Sequence, residues 1–138
     1  MIDEGTEFGA RAARHLRDDI VVWLTTVTAS GTPLPRPVWF HWDGGDSVRV
    51  HSRPGARVRN IEANPRVTLN FDGDGRGGDV VVFTGRAEVD AAAPSAEHDV
   101  AYRAKYDDQI ARIGMTPATF SQRYSVPLRI RLTRLSGH

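Results

Sequence analysis

The stretch from Pro33 to Pro65 constrains the fold more than any other part of the chain. Prolines alternate at positions 33, 35 and 37, and a proline cannot donate a backbone hydrogen bond to a neighbouring strand. The strand predicted from about Pro35 to Trp42 must therefore begin at a sheet edge or at a bulge. Asp43-Gly44-Gly45-Asp46 is a strong hairpin signal, so a second strand should return beside the first.

The second strand of this hairpin is predicted over Ser47–Ser52, where polarity alternates from one residue to the next. Val48 and Val50 should face one side of the sheet, and Arg49 and His51 the other. We expect His51 to be exposed or half-buried, because the side that it shares with an arginine is the more polar one.

The remaining elements follow from composition and periodicity. Helices are predicted from Thr6 to about Arg17 and over Pro54–Ala63, Pro94–Tyr106 and Thr116–Tyr124, and further strands over Ile20–Thr28, Arg66–Phe71, Asp79–Asp90 and Pro127–Leu135. About six strands joined mainly by hairpins predict a mostly β protein with short flanking helices, its antiparallel sheet closed into a small barrel. A chain of 138 residues should form one domain, residues 1–138.

Composition excludes several classes of function. The formal net charge is +1, so no overall field favours nucleic acid or a membrane surface as a partner. The chain has no cysteine, which excludes disulfides, thiolate metal sites and thiol nucleophiles. The first residues lack the pattern of a signal peptide, and the apolar runs are too short to span a bilayer, so we expect a cytoplasmic protein.

Two tempting metal sites fail on spacing. The glycine-rich loop Asp72–Asp79 resembles a calcium loop, but Arg76 and Phe83 occupy its fifth and twelfth positions, where oxygen ligands are required. We interpret it as a flexible hairpin in which Arg76 could reach a ligand or a partner subunit. His41 and His51 lie on adjacent predicted strands, but no carboxylate has the spacing of a third ligand, so no metal is expected.

The start of the helix after Ser52 is the most informative site. Unpaired backbone N–H groups at a helix N-terminus favour an anion, and Ser52 and Arg53 directly precede the predicted helix. Arg53, Arg57 and Asn60 are spaced four and three residues apart, so they can share one face. An ordinary exposed basic helix explains the periodicity equally well.

The residues of this stretch resemble a known family. The runs Pro35-Arg36-Pro37-Val38-Trp39-Phe40-His41-Trp42-Asp43-Gly44 and Ser52-Arg53-Pro54-Gly55-Ala56-Arg57-Val58-Arg59-Asn60-Ile61 are similar to the pyridoxamine-phosphate-oxidase-like superfamily. More narrowly, they resemble its actinobacterial branch that binds the deazaflavin coenzyme F-420. The resemblance extends from about Ile20 to Leu135.

This resemblance implies a six-stranded split β-barrel, usually a homodimer with two cofactor sites at the subunit interface. Val38, Trp39 and Phe40 would lie along the ring of the cofactor. Its phosphate would be held by four residues, Ser52, Arg53, Arg57 and Asn60. Family members commonly have lysine at the position of Arg57, and arginine differs from lysine in binding phosphate through two parallel hydrogen bonds.

The implied activity is hydride transfer from reduced F-420 to an electron-poor small molecule such as an enone, a quinone or a nitro compound. The cofactor carries the chemistry in such enzymes, so no catalytic residue is identified, and His41 is the one side chain worth testing as a proton donor. Two alternatives remain open: an FMN-dependent oxidase or reductase on the same barrel, and a non-catalytic protein that carries the deazaflavin.

Overall fold

Seven antiparallel strands form one curled sheet in the structure, a computed structural model that describes residues 1–138. The strands are β1 (Val22–Val27), β2 (Pro33–Val38), β3 (His41–Trp42), β4 (Ser47–Ser52), β5 (Arg66–Asn70), β6 (Val81–Val89) and β7 (Val126–Gly137). The helices are α1 (Glu7–Asp18), α2 (Ala56–Ala63), α3 (Val100–Arg112) and α4 (Pro117–Arg123), with a short 3-10 helix at Ala96–His98. Across the sheet the strand order is β2-β1-β5-β6-β7-β4-β3.

The two edge strands of this sheet are neighbours in sequence. β2 pairs with β1 and β3 pairs with β4, at opposite edges, and only Trp39 and Phe40 separate β2 from β3. Two residues cannot cross a flat seven-stranded sheet, because strands lie almost 5 Å apart. The sheet must therefore curl until its edges meet, which gives a half-barrel whose split lies at Trp39-Phe40.

This topology corrects the predicted strand count. The single strand expected over Pro35–Trp42 is two strands, so the sheet has seven strands rather than six and its edges are not joined by a ladder. The break could not be read from composition, since Trp39 and Phe40 are themselves typical strand residues. The edge position inferred from the alternating prolines is confirmed, because β2 pairs with β1 alone and all three prolines are exposed.

The side of β4 that was predicted to be the less polar one faces the barrel core. Val48 and Val50 of β4 are buried, as are Leu128, Ile130 and Leu132 of β7. Helix α1 closes one end of this core and begins where expected: the Thr6 hydroxyl accepts a hydrogen bond from the Gly9 N–H at 3.0 Å. An N-cap of this kind satisfies one of the free donors in the first turn.

A second, smaller core lies outside the barrel, beneath α3 and α4. Its buried members are Ala96, Tyr102, Tyr106, Ile110 and Phe120. The helix predicted over Pro94–Tyr106 is wrong at both ends. The Asp99 side chain caps the Tyr102 N–H, so α3 begins at Val100, and it continues to Arg112.

Helix α3 also explains why the expectation for His51 is wrong. His51 was expected to be exposed or half-buried, but α3 packs over its side of β4 and His51 is only 4% exposed. Tyr102 contacts the imidazole edge-on, with ring centroids 4.6 Å apart. None of the four α-helices has the length and apolar composition needed to cross a membrane.

Candidate functional site

A cavity of about 400 Å³, here called the aromatic cavity, lies between the barrel and the α3–α4 layer. Its size falls within the range of small-molecule sites, and most of its lining is apolar. The lining residues are Val21, Pro37, Val38, Trp39, His51, Arg53, Arg57, Tyr102, Ile113, Phe120 and Tyr124.

Stacked rings fix one wall of the aromatic cavity. Trp39 lies nearly parallel to Tyr106 and Phe120, with ring centroids 4.9 and 5.5 Å away, and Phe120 in turn stacks on Tyr124 at 4.4 Å. Offset stacking at these separations is favourable beyond the area it buries. The Trp39 side chain therefore packs against aromatic residues of α3 and α4 and stays only partly buried, on the cavity wall.

A second pocket of about 220 Å³, here called the basic pocket, adjoins the aromatic cavity. Its lining consists of Thr26, Leu34, Arg36, Arg53, Pro54, Gly55, Ala56, Arg57 and Asn60. Arg53 and Arg57 line both spaces, so these two residues lie where the aromatic cavity meets the basic pocket. A ligand with an aromatic body and an anionic arm matches this arrangement.

Arg57 is held in place by the barrel. Its Nη1 donates to the Ser52 Oγ at 3.0 Å, and that hydroxyl donates to the Arg53 carbonyl at 2.8 Å. Burial lowers the pKa of Arg57 from its ordinary value, and the positive charge of Arg36 lowers it further. Two cations close together without a nearby carboxylate partner would be stabilised by an anion bound between them.

The start of α2 forms the floor of the basic pocket. The helix was expected to begin at Pro54, but it begins at Ala56, because Gly55 adopts φ 141°, a conformation that side chains rarely permit. No side chain caps the first turn, so its N–H groups are left for solvent or for a ligand. Val58 and Ile61 of the same helix are buried.

The structure brings most of the predicted site residues together. Arg53, Arg57 and Asn60 share the basic pocket, where the Asn60 amide also donates to the Thr26 hydroxyl at 3.2 Å. Val38 and Trp39 line the aromatic cavity.

Two predicted residues lie behind this surface. The Phe40 side chain is fully buried in the barrel core, and the Ser52 side chain is fully buried beneath Arg57. Neither lines the cavity or the pocket. The hydrogen bond from Arg57 to Ser52 therefore gives Ser52 the role of positioning Arg57.

His41 and Arg76 lie elsewhere. His41 is half-buried beside a separate polar hollow that also contains Asp99 and Arg49, and burial lowers the pKa of its imidazole. Arg76 is exposed in the glycine-rich loop and lines neither the aromatic cavity nor the basic pocket. These placements do not support a role for His41 as a proton donor in the aromatic cavity.

Several lining residues were not found from the sequence. Arg36 belongs to the basic pocket, and its position two residues from both Leu34 and Val38, on the same face of β2, was a usable signal. His51, Tyr102, Phe120 and Tyr124 line the aromatic cavity from elements distant in sequence. The four-residue spacing of Tyr102 and Tyr106 predicts a shared helix face, but not which strand that face covers.

The curled antiparallel sheet, with a cavity of about 400 Å³ beside a basic helix start, places the protein in the class of antiparallel half-barrels. Comparison with known proteins identifies the family. The sequence model of the family described as pyridoxamine 5'-phosphate oxidase matches residues 9–132 of this chain. The chain belongs to the pyridoxamine 5'-phosphate oxidase family. No curated protein sequence matches it.

Solved structures share the fold at low sequence identity. An F-420 reductase is 25% identical, with a TM-score of 0.63, over 88% of this chain and 92% of that one. A FAD-binding protein from Mesorhizobium loti is 21% identical, with a TM-score of 0.63, over 91% and 88%. A conserved hypothetical protein from Mycobacterium tuberculosis is 21% identical, with a TM-score of 0.67, over 94% and 82%.

Proposed function

We propose that this protein is a reductase that binds coenzyme F-420 and serves hydride transfer to an electron-poor organic acceptor. The observation that carries the proposal is the position of Arg53 and Arg57, which line both the aromatic cavity and the basic pocket. The similarity to an F-420 reductase over most of both chains supports the same activity.

The residues present fit the chemistry of this cofactor. A planar ring system matches a cavity walled by Trp39 and its stacked neighbours. A phosphate with a further anionic tail matches three arginines, since Arg36 adds a third cation to Arg53 and Arg57. FMN has a comparable ring and a terminal phosphate monoester but no further tail, so the third arginine favours F-420.

The protein's contribution would be binding, orientation and exclusion of water. When bound, reduced F-420 supplies the hydride. Arg57 would hold the anionic arm at a fixed place, because Ser52 and the barrel beneath it restrict its side chain. Trp39 would restrict the ring system of the cofactor to one plane. The apolar lining would keep bulk water from the reacting face of that ring system.

A homodimer is part of this proposal. It rests on the family resemblance, with support from the open rim of the aromatic cavity, where the apolar side chain of Ile113 is 51% exposed. A second chain over this rim would bury Ile113 and complete the enclosure. Light scattering on the purified protein should give twice the chain mass.

Turnover is the test of activity. Reduced F-420 is mixed with the protein and a panel of enones, quinones and nitroaromatic compounds, and the return of oxidised F-420 absorbance is followed. We expect protein-dependent oxidation with at least one acceptor class, and less with reduced FMN under the same conditions. Tight F-420 binding without turnover across the panel would favour a carrier, and turnover with FMN alone would favour the flavin alternative.

A further inference from the structure

We infer that His51 and Tyr102 form a polar subsite in the aromatic cavity, which binds a ligand group that presents an N–H or O–H donor beside a carbonyl. The inference rests on the proposed function, because the two residues would bind one part of the ligand that is proposed to occupy this cavity. Both side chains line the aromatic cavity, and both residues are at least 96% buried.

The hydrogen bond to Asp99 fixes the form of the imidazole. His51 Nε2 lies 2.9 Å from Asp99 Oδ2, and a carboxylate only accepts, so Nε2 carries the hydrogen. Burial lowers the pKa of His51 despite this partner, which favours the neutral ring. Nδ1 is then a bare acceptor, and it is buried without any hydrogen-bond partner in the protein.

The Tyr102 hydroxyl provides the complementary group. It too is buried without a partner, whereas the hydroxyl of Tyr106, one turn further along α3, is fully engaged by backbone groups. Burial raises the pKa of Tyr102, so the hydroxyl keeps its hydrogen and can donate. Both orphaned atoms belong to residues that line the aromatic cavity, and buried polar atoms of this kind are uncommon and costly unless a ligand or water satisfies them.

Together the pair recognises a donor next to an acceptor. Nδ1 of His51 would accept from an N–H or O–H group, and the Tyr102 hydroxyl would donate to an adjacent carbonyl. Amide and imide edges have this pattern, including the pyrimidine-dione edge of flavins and deazaflavins, and so do some hydroxylated or amide-bearing acceptors. Because Arg53 lines the same cavity, one ligand can reach both the pair and the basic pocket.

Two substitutions test the pair with little change of shape. Tyr102→Phe removes a hydroxyl that has no partner in the free protein, so the unfolding midpoint should stay equal or rise. Asp99→Asn keeps an N-cap for α3, but its amide can donate to Nε2 and move the imidazole hydrogen to Nδ1. Imidazole ¹⁵N shifts of His51 report this change of tautomer directly.

The dissociation constants of F-420 and FMN are measured for the wild type and both variants, and the KM of the best acceptor is measured with saturating reduced F-420. In each variant, the dissociation constant or KM of the ligand that binds the subsite should rise by roughly tenfold. Weaker cofactor binding assigns the subsite to the cofactor; unchanged cofactor binding with a raised KM assigns it to the acceptor. Normal cofactor binding and an unchanged KM in both variants would overturn the inference alone. A wild type that binds neither cofactor would overturn the proposed function and this inference with it.

Discussion

The hydroxyl of Tyr106 accepts a hydrogen bond from the backbone N–H of Phe40 at 2.8 Å, and so ties α3 to the split in the barrel. The same oxygen lies 2.9 Å from the Phe40 carbonyl and 2.7 Å from the Ile20 carbonyl, and its one hydrogen serves these two acceptors. Phe40 cannot pair with a strand on either side at this point. The Tyr106 hydroxyl therefore takes the place of the strand-to-strand hydrogen bonds that the Phe40 backbone lacks where the sheet is interrupted.

Removal of this hydroxyl should destabilise the protein. Tyr106→Phe leaves the buried Phe40 N–H without its partner, which should lower the free energy of unfolding by about 1–3 kcal/mol. Chemical denaturation followed by tryptophan fluorescence measures the change. Tyr102→Phe is the matched control on the same helix, since the Tyr102 hydroxyl has no partner to lose. Equal losses in the two variants would contradict this account of the split.

Lys105 should titrate well below an ordinary lysine. Its Nζ lies 3.1 Å from the Phe40 carbonyl and 3.7 Å from the centre of the Phe40 ring, and burial lowers its pKa from 10.5 to about 8. Lys105 is the only lysine in the chain, so reductive ¹³C-methylation gives one side-chain signal to follow against pH. The same signal in denaturant is the control, and a pKa near 10.5 in both states would refute the burial effect.

The lowered pKa of Lys105 has a consequence for stability. Between pH 8 and 10.5 the unfolded chain binds more protons at this site than the folded one, so this group makes stability rise with pH in that window. Lys105→Met should remove this rise, because methionine keeps an unbranched apolar stem without the charge. The slope of unfolding free energy against pH, compared for the two proteins, measures it.

Arg57 should contribute strongly to cofactor affinity. Arg57→Ala removes the charged donor shared by the aromatic cavity and the basic pocket, and should weaken F-420 binding by ~1.5–3 kcal/mol, the range for hydrogen bonds to charged groups. Fluorescence titration gives the dissociation constant. Arg59→Ala is the control, because Arg59 is exposed on the same helix but lines neither space. A folded Arg57→Ala variant with wild-type affinity would locate the anionic arm elsewhere.

A side chain at Gly55 should strain the backbone at the start of α2. Its φ of 141° lies in a region that only glycine enters readily, although the space around a Cβ atom there is open. Gly55→Ala should therefore cost about 1–3 kcal/mol in stability through backbone strain, or shift the start of α2 and weaken anion binding. Thermal unfolding with and without F-420 separates the two effects. Gly75→Ala in the exposed loop, also at positive φ with open space, controls for backbone strain away from the site.

Local patterns predicted much of the fold. The alternation over Ser47–Ser52 gave β4 with its observed bounds, and α1 starts and ends within one residue of its predicted bounds. The alternating prolines placed β2 at an edge before any pairing was known. Each of these features depends on a few neighbouring residues, which is the range over which turn, cap and strand preferences act.

The failures share a different cause, which is contact between distant parts of the chain. The break at Trp39-Phe40 depends on Tyr106, 66 residues from Phe40, and the burial of His51 depends on α3 packing over β4. The cluster of basic residues at the start of α2 was visible locally, whereas the aromatic cavity beside it needed α4 and Trp39 brought together. Periodicity indicates that a helix has an apolar face but not what that face will cover.

Direct titration of the purified protein with F-420 and with FMN tests the central claim, that the aromatic cavity and the basic pocket together bind a deazaflavin. We predict saturable F-420 binding in the micromolar range or tighter, with weaker binding of FMN, and partial loss of both as salt screens the three arginines. Absence of F-420 binding at micromolar concentrations, or protein that retains FMN through purification and ignores F-420, would contradict it.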